Sequence, residues 1–155
     1  MVGTFHRLSY HIIFGTRYRQ KIILPAYQER LYEYMGGTIR GLKGHSIEIG
    51  GVEDHVHLLV NLPPAIALSD AVRDIKANAS KWVDDNHLTK DGFEWQKGYG
   101  AFTVSYSNIE TVREYIRNQQ KHHQVRTFRE EYIEFLKRHG IEFEERYLFE
   151  GEHTG

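Results

Sequence analysis

The 155-residue sequence has no cysteine, three prolines, two tryptophans and no apolar run long enough to span a bilayer. Without cysteine there is no disulfide framework. Without a long apolar run there is no membrane-spanning helix, and the start Met1-Val2-Gly3-Thr4-Phe5-His6-Arg7 lacks the apolar core of a secretion signal. The expectation is a cytoplasmic protein with no membrane partner. No internal repeat or low-complexity linker is present, so a single domain over residues 1–155 is expected. A phosphate-binding G-x-x-x-x-G-K-S/T loop is also missing, which speaks against a nucleotide cofactor. Neither sign of charge dominates: 20 Lys and Arg stand against 21 Asp and Glu. That balance hides a division, because residues 1–126 carry 16 basic against 13 acidic side chains and residues 127–155 carry 4 against 8. The acidic excess is confined to the tail, and the body keeps room for a local basic surface. Histidine and tyrosine are plentiful, with ten of each.

The run Arg7 to Gly15 is β-branched and aromatic with Leu8, Tyr10, Ile12 and Phe14 on one face, the pattern of a strand. Both of its faces are fairly apolar, which suits a central position. Pro25 marks the first position of an amphipathic helix reaching about Lys43, with Gly36 and Gly37 predicting a break near Met35. Residues 45–52 alternate, Gly50-Gly51 leads within a few residues into a second alternating run over 54–62, and the two read as a hairpin. Pro63-Pro64 then precedes a helix over about 65–86. Residues 99–106 read as a fourth strand, after a short extended piece at Phe93 to Gln96. Ser107 with Glu110, and Thr127 with Glu130, have capping-box spacing and open a third helix to about Gln124 and a fourth ending at Gly140. The β-α-β-β-α-β order predicts an α+β fold of the ferredoxin-like kind: an antiparallel sheet with two helices on one face and the first and third strands central. The expected parts are a core over 5–106, a third helix over 108–124, and a C-terminal helix with acidic tail over 127–155.

In Asp54-His55-Val56-His57-Leu58-Leu59-Val60 the period of two sends both imidazoles to one face of the sheet and Val56, Leu58 and Val60 to the other. Two imidazoles so placed either hold one divalent ion between them or are two hydrogen-bonded histidines on a half-exposed face. On the third helix Tyr115 and Gln119 are four apart and share a face beside the apolar stripe of Ile109, Val112 and Ile116. Gln119 can offer an oxygen ligand and Tyr115 a nucleophilic oxygen; alternatively both are ordinary half-solvated helix residues. His122 falls near the Tyr115 face and His123 near the apolar stripe. Either histidine suits a phosphate contact, a proton carrier or a helix-end cap.

This ordered set, His55-Val56-His57 followed some sixty residues later by Tyr115-x-x-x-Gln119, resembles the single-tyrosine HUH transposases. These are the single-strand transposases of bacterial and archaeal insertion sequences and the REP-associated tyrosine transposases. The resemblance extends over nearly the whole chain, including Thr127-Phe128-Arg129-Glu130-Glu131 and the stretch from His139 to Phe143. It implies a metal site of His55, His57 and Gln119 that takes Mg2+ or Mn2+, although imidazole suits manganese or zinc better than magnesium. Tyr115 is implied as the nucleophile that cuts and rejoins single-stranded DNA through a 5′-phosphotyrosine. It also implies a homodimer acting on DNA with hairpin ends, in a prokaryotic cytoplasm and at the nucleoid when DNA is bound. In such dimers the tyrosine helix of one subunit can complete the metal site of the other. Here the connection Ser105-Tyr106-Ser107-Asn108 has no glycine.

Contacts to DNA are expected from Arg17, Arg19 and Lys21 around Tyr18, from Lys76 and Lys81 on the second helix, and from Arg113, Arg117, Lys121 and His122 around Tyr115. Two alternatives share the same residues: an HUH nickase of the replication-initiator kind, and an inactive, domesticated HUH protein that binds hairpin DNA without cutting it.

Overall fold

The computed structural model describes residues 3–149. Glu150 and Glu152 of the expected acidic tail, and Met1 and Val2 at the start, lie outside the described residues. The chain forms β1 (Ser9–Gly15), α1 (Gln28–Gly41), β2 (His45–Val52), β3 (His55–Asn61), α2 (Leu68–Asp85) and β4 (Gly100–Thr103). Beyond these come α3 (Ile109–Arg117), α4 (Gln119–His122) and α5 (Phe128–Arg138). The four strands make one antiparallel sheet in the order β2-β3-β1-β4, with β1 and β3 in the middle as the sequence predicts. Two buried clusters lie on its two faces. Ile12, Phe14, Val56, Leu58 and Val60 face α1 and α2. On the other side Ile13 and Phe102 meet Phe128, Tyr132, Phe135 and Leu136 of α5. The alternation of β3 therefore sends its valines and Leu58 to the two-helix layer and its histidines to a layer of α3, α4 and α5.

Several predicted boundaries move. Pro25 sits in a turn before α1, because the backbone amides of Tyr27 and Gln28 both bond to the Leu24 carbonyl and the helix begins only at Gln28. No break occurs at Met35. Leu31, Met35 and Ile39 are buried along one continuous stripe, and that packing outweighs the weak helix preference of Gly36 and Gly37. The third helix is interrupted at Asn118, whose side-chain amide turns back to the Glu114 carbonyl at 3.0 Å. Ser107 does not cap it: a 3-10 turn over Tyr106–Asn108 comes first, with Asn108 in the cap position. Thr127 does form the full capping box with Glu130. The segment around Trp95 pairs with the end of β1, with Gln96 N–H donating to the Gly15 carbonyl at 2.9 Å. Among the described residues, no helix is long and apolar enough to cross a membrane.

Candidate active site

His55 and His57 are fully buried on β3. His55 Nδ1 lies 2.7 Å from Asp54 Oδ1, and His57 Nδ1 lies 2.8 Å from His11 Nε2 on the neighbouring strand. Each ring is thus held by its outer nitrogen, and Nε2 of both turns toward the same point. Phe128 lies flat on His55, with ring centroids 4.1 Å apart and planes 9° from parallel. Gly15 makes room for that ring, since a Cβ there would come 2.6 Å from the Phe128 ring.

Gly50 does the same for α3. A Cβ at Gly50 would meet the Ile116 carbonyl oxygen at 2.7 Å, so its absence lets the helix settle onto the sheet and bury Ile116. Settled there, α3 carries the Tyr115 ring over His57, 5.9 Å away and near perpendicular. One residue past the break, Gln119 is buried with its Oε1 3.0 Å from His55 Nε2. His122 stacks on Tyr115 at 4.4 Å, on the face the helical spacing predicts.

Glu131 of α5 joins these pieces. It is fully buried, with Oε1 3.0 Å from His57 Nε2, 3.2 Å from His55 Nε2 and 3.1 Å from His123 Nε2. Its Oε2 accepts from the Tyr115 hydroxyl and, at 3.1 Å, from Gln119 Nε2. One ligand atom from each of His55, His57 and Glu131 lies within 4.8 Å of the others. Two inward imidazole nitrogens, a carboxylate oxygen and an adjacent amide oxygen form a donor set that fits a divalent metal. Burial penalises the Glu131 carboxylate, but the surrounding imidazoles outweigh it and hold the group ionised, far below the usual carboxylate range. Burial lowers the pKa of His57 and of His11, favouring neutral rings. At His55 burial pulls the same way but is outweighed by Asp54 and Glu131, and its pKa is raised. Tyr115 is pushed well above the ordinary phenol value, by burial first and by the Glu131 charge second. At rest its hydroxyl is therefore protonated.

Sequence reading did not single out Glu131, His11 or Arg126. A signal for Glu131 was available: 128, 131, 132, 135 and 136 form the inward stripe of α5, and a glutamate interrupts an otherwise aromatic and aliphatic series. His11 likewise shares its side of β1 with Ile13 and Gly15, the strand partners of His57 and His55. Arg126 lies in the connection between α4 and α5, where no periodicity applies.

The basic residues expected to contact DNA divide. Arg113 and Arg117 flank Tyr115 on α3, and each donates to Glu48 at 3.1 Å. Lys121 is exposed near the end of α4. Lys76 and Lys81 belong to α2, across the sheet from the histidines. Lys76 donates to the carbonyls of Gln96 and Gly98, with its pKa lowered to about 8 by burial, and Lys81 pairs with Asp85 at 2.7 Å. Arg17 pairs with Glu94 at 2.5 Å and lies over the Tyr18 ring, while Arg19 lies over Phe149. The structure thus brings His122 against Tyr115, turns Arg113 and Arg117 of the same helix to Glu48, and leaves Lys76 and Lys81 on the far layer.

A buried histidine pair on a central strand, faced by a helix tyrosine and a glutamine, is the arrangement that the sequence resemblance to the single-tyrosine HUH class implies. Comparison with known proteins agrees. The family model for IS200-like transposases matches residues 4–119, and the chain belongs to that family. Among similar proteins is the ISDra2 transposase TnpA of Deinococcus radiodurans, 27% identical over 124 residues, covering 76% of this chain and 87% of that protein. The transposase of insertion sequence IS200 from Salmonella typhimurium is 26% identical over 120 residues, covering 72% and 76%. The crystal structure of a transposase candidate from Deinococcus radiodurans superposes with a TM-score of 0.62 at 24% identity, covering 77% of this chain and 95% of that one. A REP-associated tyrosine transposase solved with a REP hairpin gives 0.60 at 15% identity, covering 79% and 74%. These two structures share the fold. The protein is a DNA-cleaving and strand-transferring enzyme of this family.

Proposed function

We propose that this transposase cuts and rejoins single-stranded DNA with Tyr115 as nucleophile, next to a metal held by His55, His57, Glu131 and Gln119. The observation that carries the reading is the meeting of Tyr115 and the imidazole pair on one buried carboxylate, Glu131. His11 and Asp54 orient the imidazoles, and His122 and His57 hold the tyrosine ring by stacking and edge contact. Glu131 Oε2 accepts the hydrogen bond of the Tyr115 hydroxyl and so orients Oη, which attacks the scissile phosphorus in line as its proton passes to water. The 3′-hydroxyl leaves, and the 5′-phosphotyrosine keeps the bond energy for rejoining, so no nucleotide cofactor is needed. Held by His55, His57, Glu131 and Gln119, a divalent ion would supply Lewis-acid stabilisation of the charge that develops on the phosphate oxygens. Two imidazoles with a carboxylate favour Mn2+ over Mg2+ among the expected ions.

DNA with hairpin ends is the proposed partner, supported by the REP hairpin bound to the structurally similar transposase. Arg113, Arg117, Lys121 and His122 are the proposed contacts near the cut. A homodimer is the proposed assembly, and Tyr115, the imidazole pair and Glu131 meet within a single protomer.

The reading is tested by incubating the protein with hairpin-bearing single-stranded oligonucleotides and Mn2+, followed by denaturing electrophoresis. A covalent protein–DNA band that disappears with chelator and in Tyr115→Phe is expected. A band that persists in Tyr115→Phe would remove Tyr115 as nucleophile.

A further inference from the structure

Arg126 lies beyond the residues matched by the family model, in the connection between α4 and α5. Its Nη2 donates to the Tyr115 hydroxyl oxygen at 2.6 Å. Its Nη1 is paired with Glu134 on α5, which fixes the plane of the guanidinium and aims Nη2 at the tyrosine. Arg113 and Arg117, on the tyrosine's own helix, turn to Glu48 instead. The side chain is 24% exposed and lines a cleft of about 420 Å³ together with Asp54 and His123, so the charge is partly withdrawn from water next to the reacting oxygen. We propose that Arg126 is a catalytic residue whose guanidinium holds the negative charge gathering on Tyr115 Oη as the bond to phosphorus is made and broken.

The chemistry requires such a group. In cleavage the Oη–H bond breaks and the proton passes to water. Oη then bonds to phosphorus as the P–O3′ bond breaks, and the departing O3′ takes a proton from water. In rejoining, a 3′-hydroxyl gives up its proton to water as it attacks phosphorus, and the Oη–P bond breaks with its electron pair remaining on Oη, which then takes a proton from water. Both directions pass through a partly anionic Oη. Burial and the Glu131 carboxylate oppose that charge, whereas Arg126 favours it. A guanidinium stays protonated throughout, so it stabilises the charge without moving a proton.

This inference rests on Tyr115 being the nucleophile, and the experiment separates the two. A fluorescein-labelled hairpin oligonucleotide on which the wild-type protein forms the covalent band serves as probe, with Mn2+ present. Arg126→Met is expected to slow both adduct formation and rejoining by about a hundredfold. Anisotropy should show probe affinity unchanged within about threefold, since the contact is to the nucleophile. Arg126→Lys is expected to recover part of the rate, and ethylguanidinium added to Arg126→Gly should recover more. The proposal is overturned if Arg126→Met keeps its rate, if the loss merely follows weaker probe binding, or if neither lysine nor ethylguanidinium restores any rate. A wild-type protein that forms no adduct overturns the nucleophile reading, and this proposal with it.

Discussion

Replacing Glu131 by leucine removes the acceptor on which five side chains converge, and the cost is calculable from their burial. His57 and His55 are fully buried and Gln119 is 1% exposed, so the nitrogens they direct at Glu131 cannot turn to water. Tyr115 and His123 sit at the edge of the group and can. His55 also loses one of the two carboxylates that raise its pKa. Replacing every partner of a buried ionic group by apolar residues is often neutral, but removing one partner costs about 3–5 kcal/mol because the other is left uncompensated. Glu131→Leu should therefore lose about 3–5 kcal/mol in the metal-free protein, a large share of the roughly 5–15 kcal/mol typical of a domain. Glu131→Gln keeps the shape and one acceptor oxygen, and should lose about 1–2 kcal/mol. Urea unfolding at pH 7 with chelator present, followed by circular dichroism, measures both. Adding Mn2+ should stabilise the wild type more than either variant, because a ligand of the folded state raises its stability by mass action. A Glu131→Leu protein as stable as wild type without metal would refute the view that this carboxylate organises the site.

Other outcomes follow from the same geometry. Gly50→Ala places a Cβ against the Ile116 backbone and should cost about 1–3 kcal/mol while slowing adduct formation, because α3 must shift and carries Tyr115 with it; a fully active, fully stable variant would contradict the close approach. Mn2+ affinity should fall as pH falls below the raised His55 pKa, by roughly tenfold per unit, since the proton on Nε2 competes with the ion for the same lone pair. Because that pKa lies above 6.5, the weakening begins nearer neutrality than for an ordinary imidazole, and isothermal titration across pH 5–8 measures it. Mixing Tyr115→Phe with His57→Ala should yield no adduct, because Tyr115 meets Glu131 and the histidine pair of its own chain. Restored activity in the mixture would show exchange of α3 between subunits.

Much of the molecule was legible in the sequence because its elements obey simple periods. The alternation of β3 separated His55 and His57 from Val56, Leu58 and Val60, and the structure places the two sets on opposite faces. The four-residue spacing of Tyr115 and Gln119 brought both toward Glu131, even though the helix between them breaks at Asn118. That break was not legible, since an asparagine turning back on Glu114 reads the same as one facing water. Glu131 was hidden by its neighbour: Glu130 completes a capping box, and two acidic residues in a first turn are explained by the helix dipole without any site. The side of the sheet on which Lys76 and Lys81 lie was not legible for a different reason. Positive charge on an amphipathic helix says nothing about which side of the sheet that helix covers, and α2 lies across the sheet from the histidines. Arg126 depends wholly on tertiary placement.

In the proposed mechanism one of ten tyrosines forms the bond to DNA. After reaction with a hairpin oligonucleotide and Mn2+, the adduct is digested with nuclease and protease and its peptides are sequenced by mass spectrometry. A nucleotide 5′-phosphate ester is expected on Tyr115 and on no other residue. A nucleotide mapped to a different tyrosine, such as the exposed Tyr106, would contradict it.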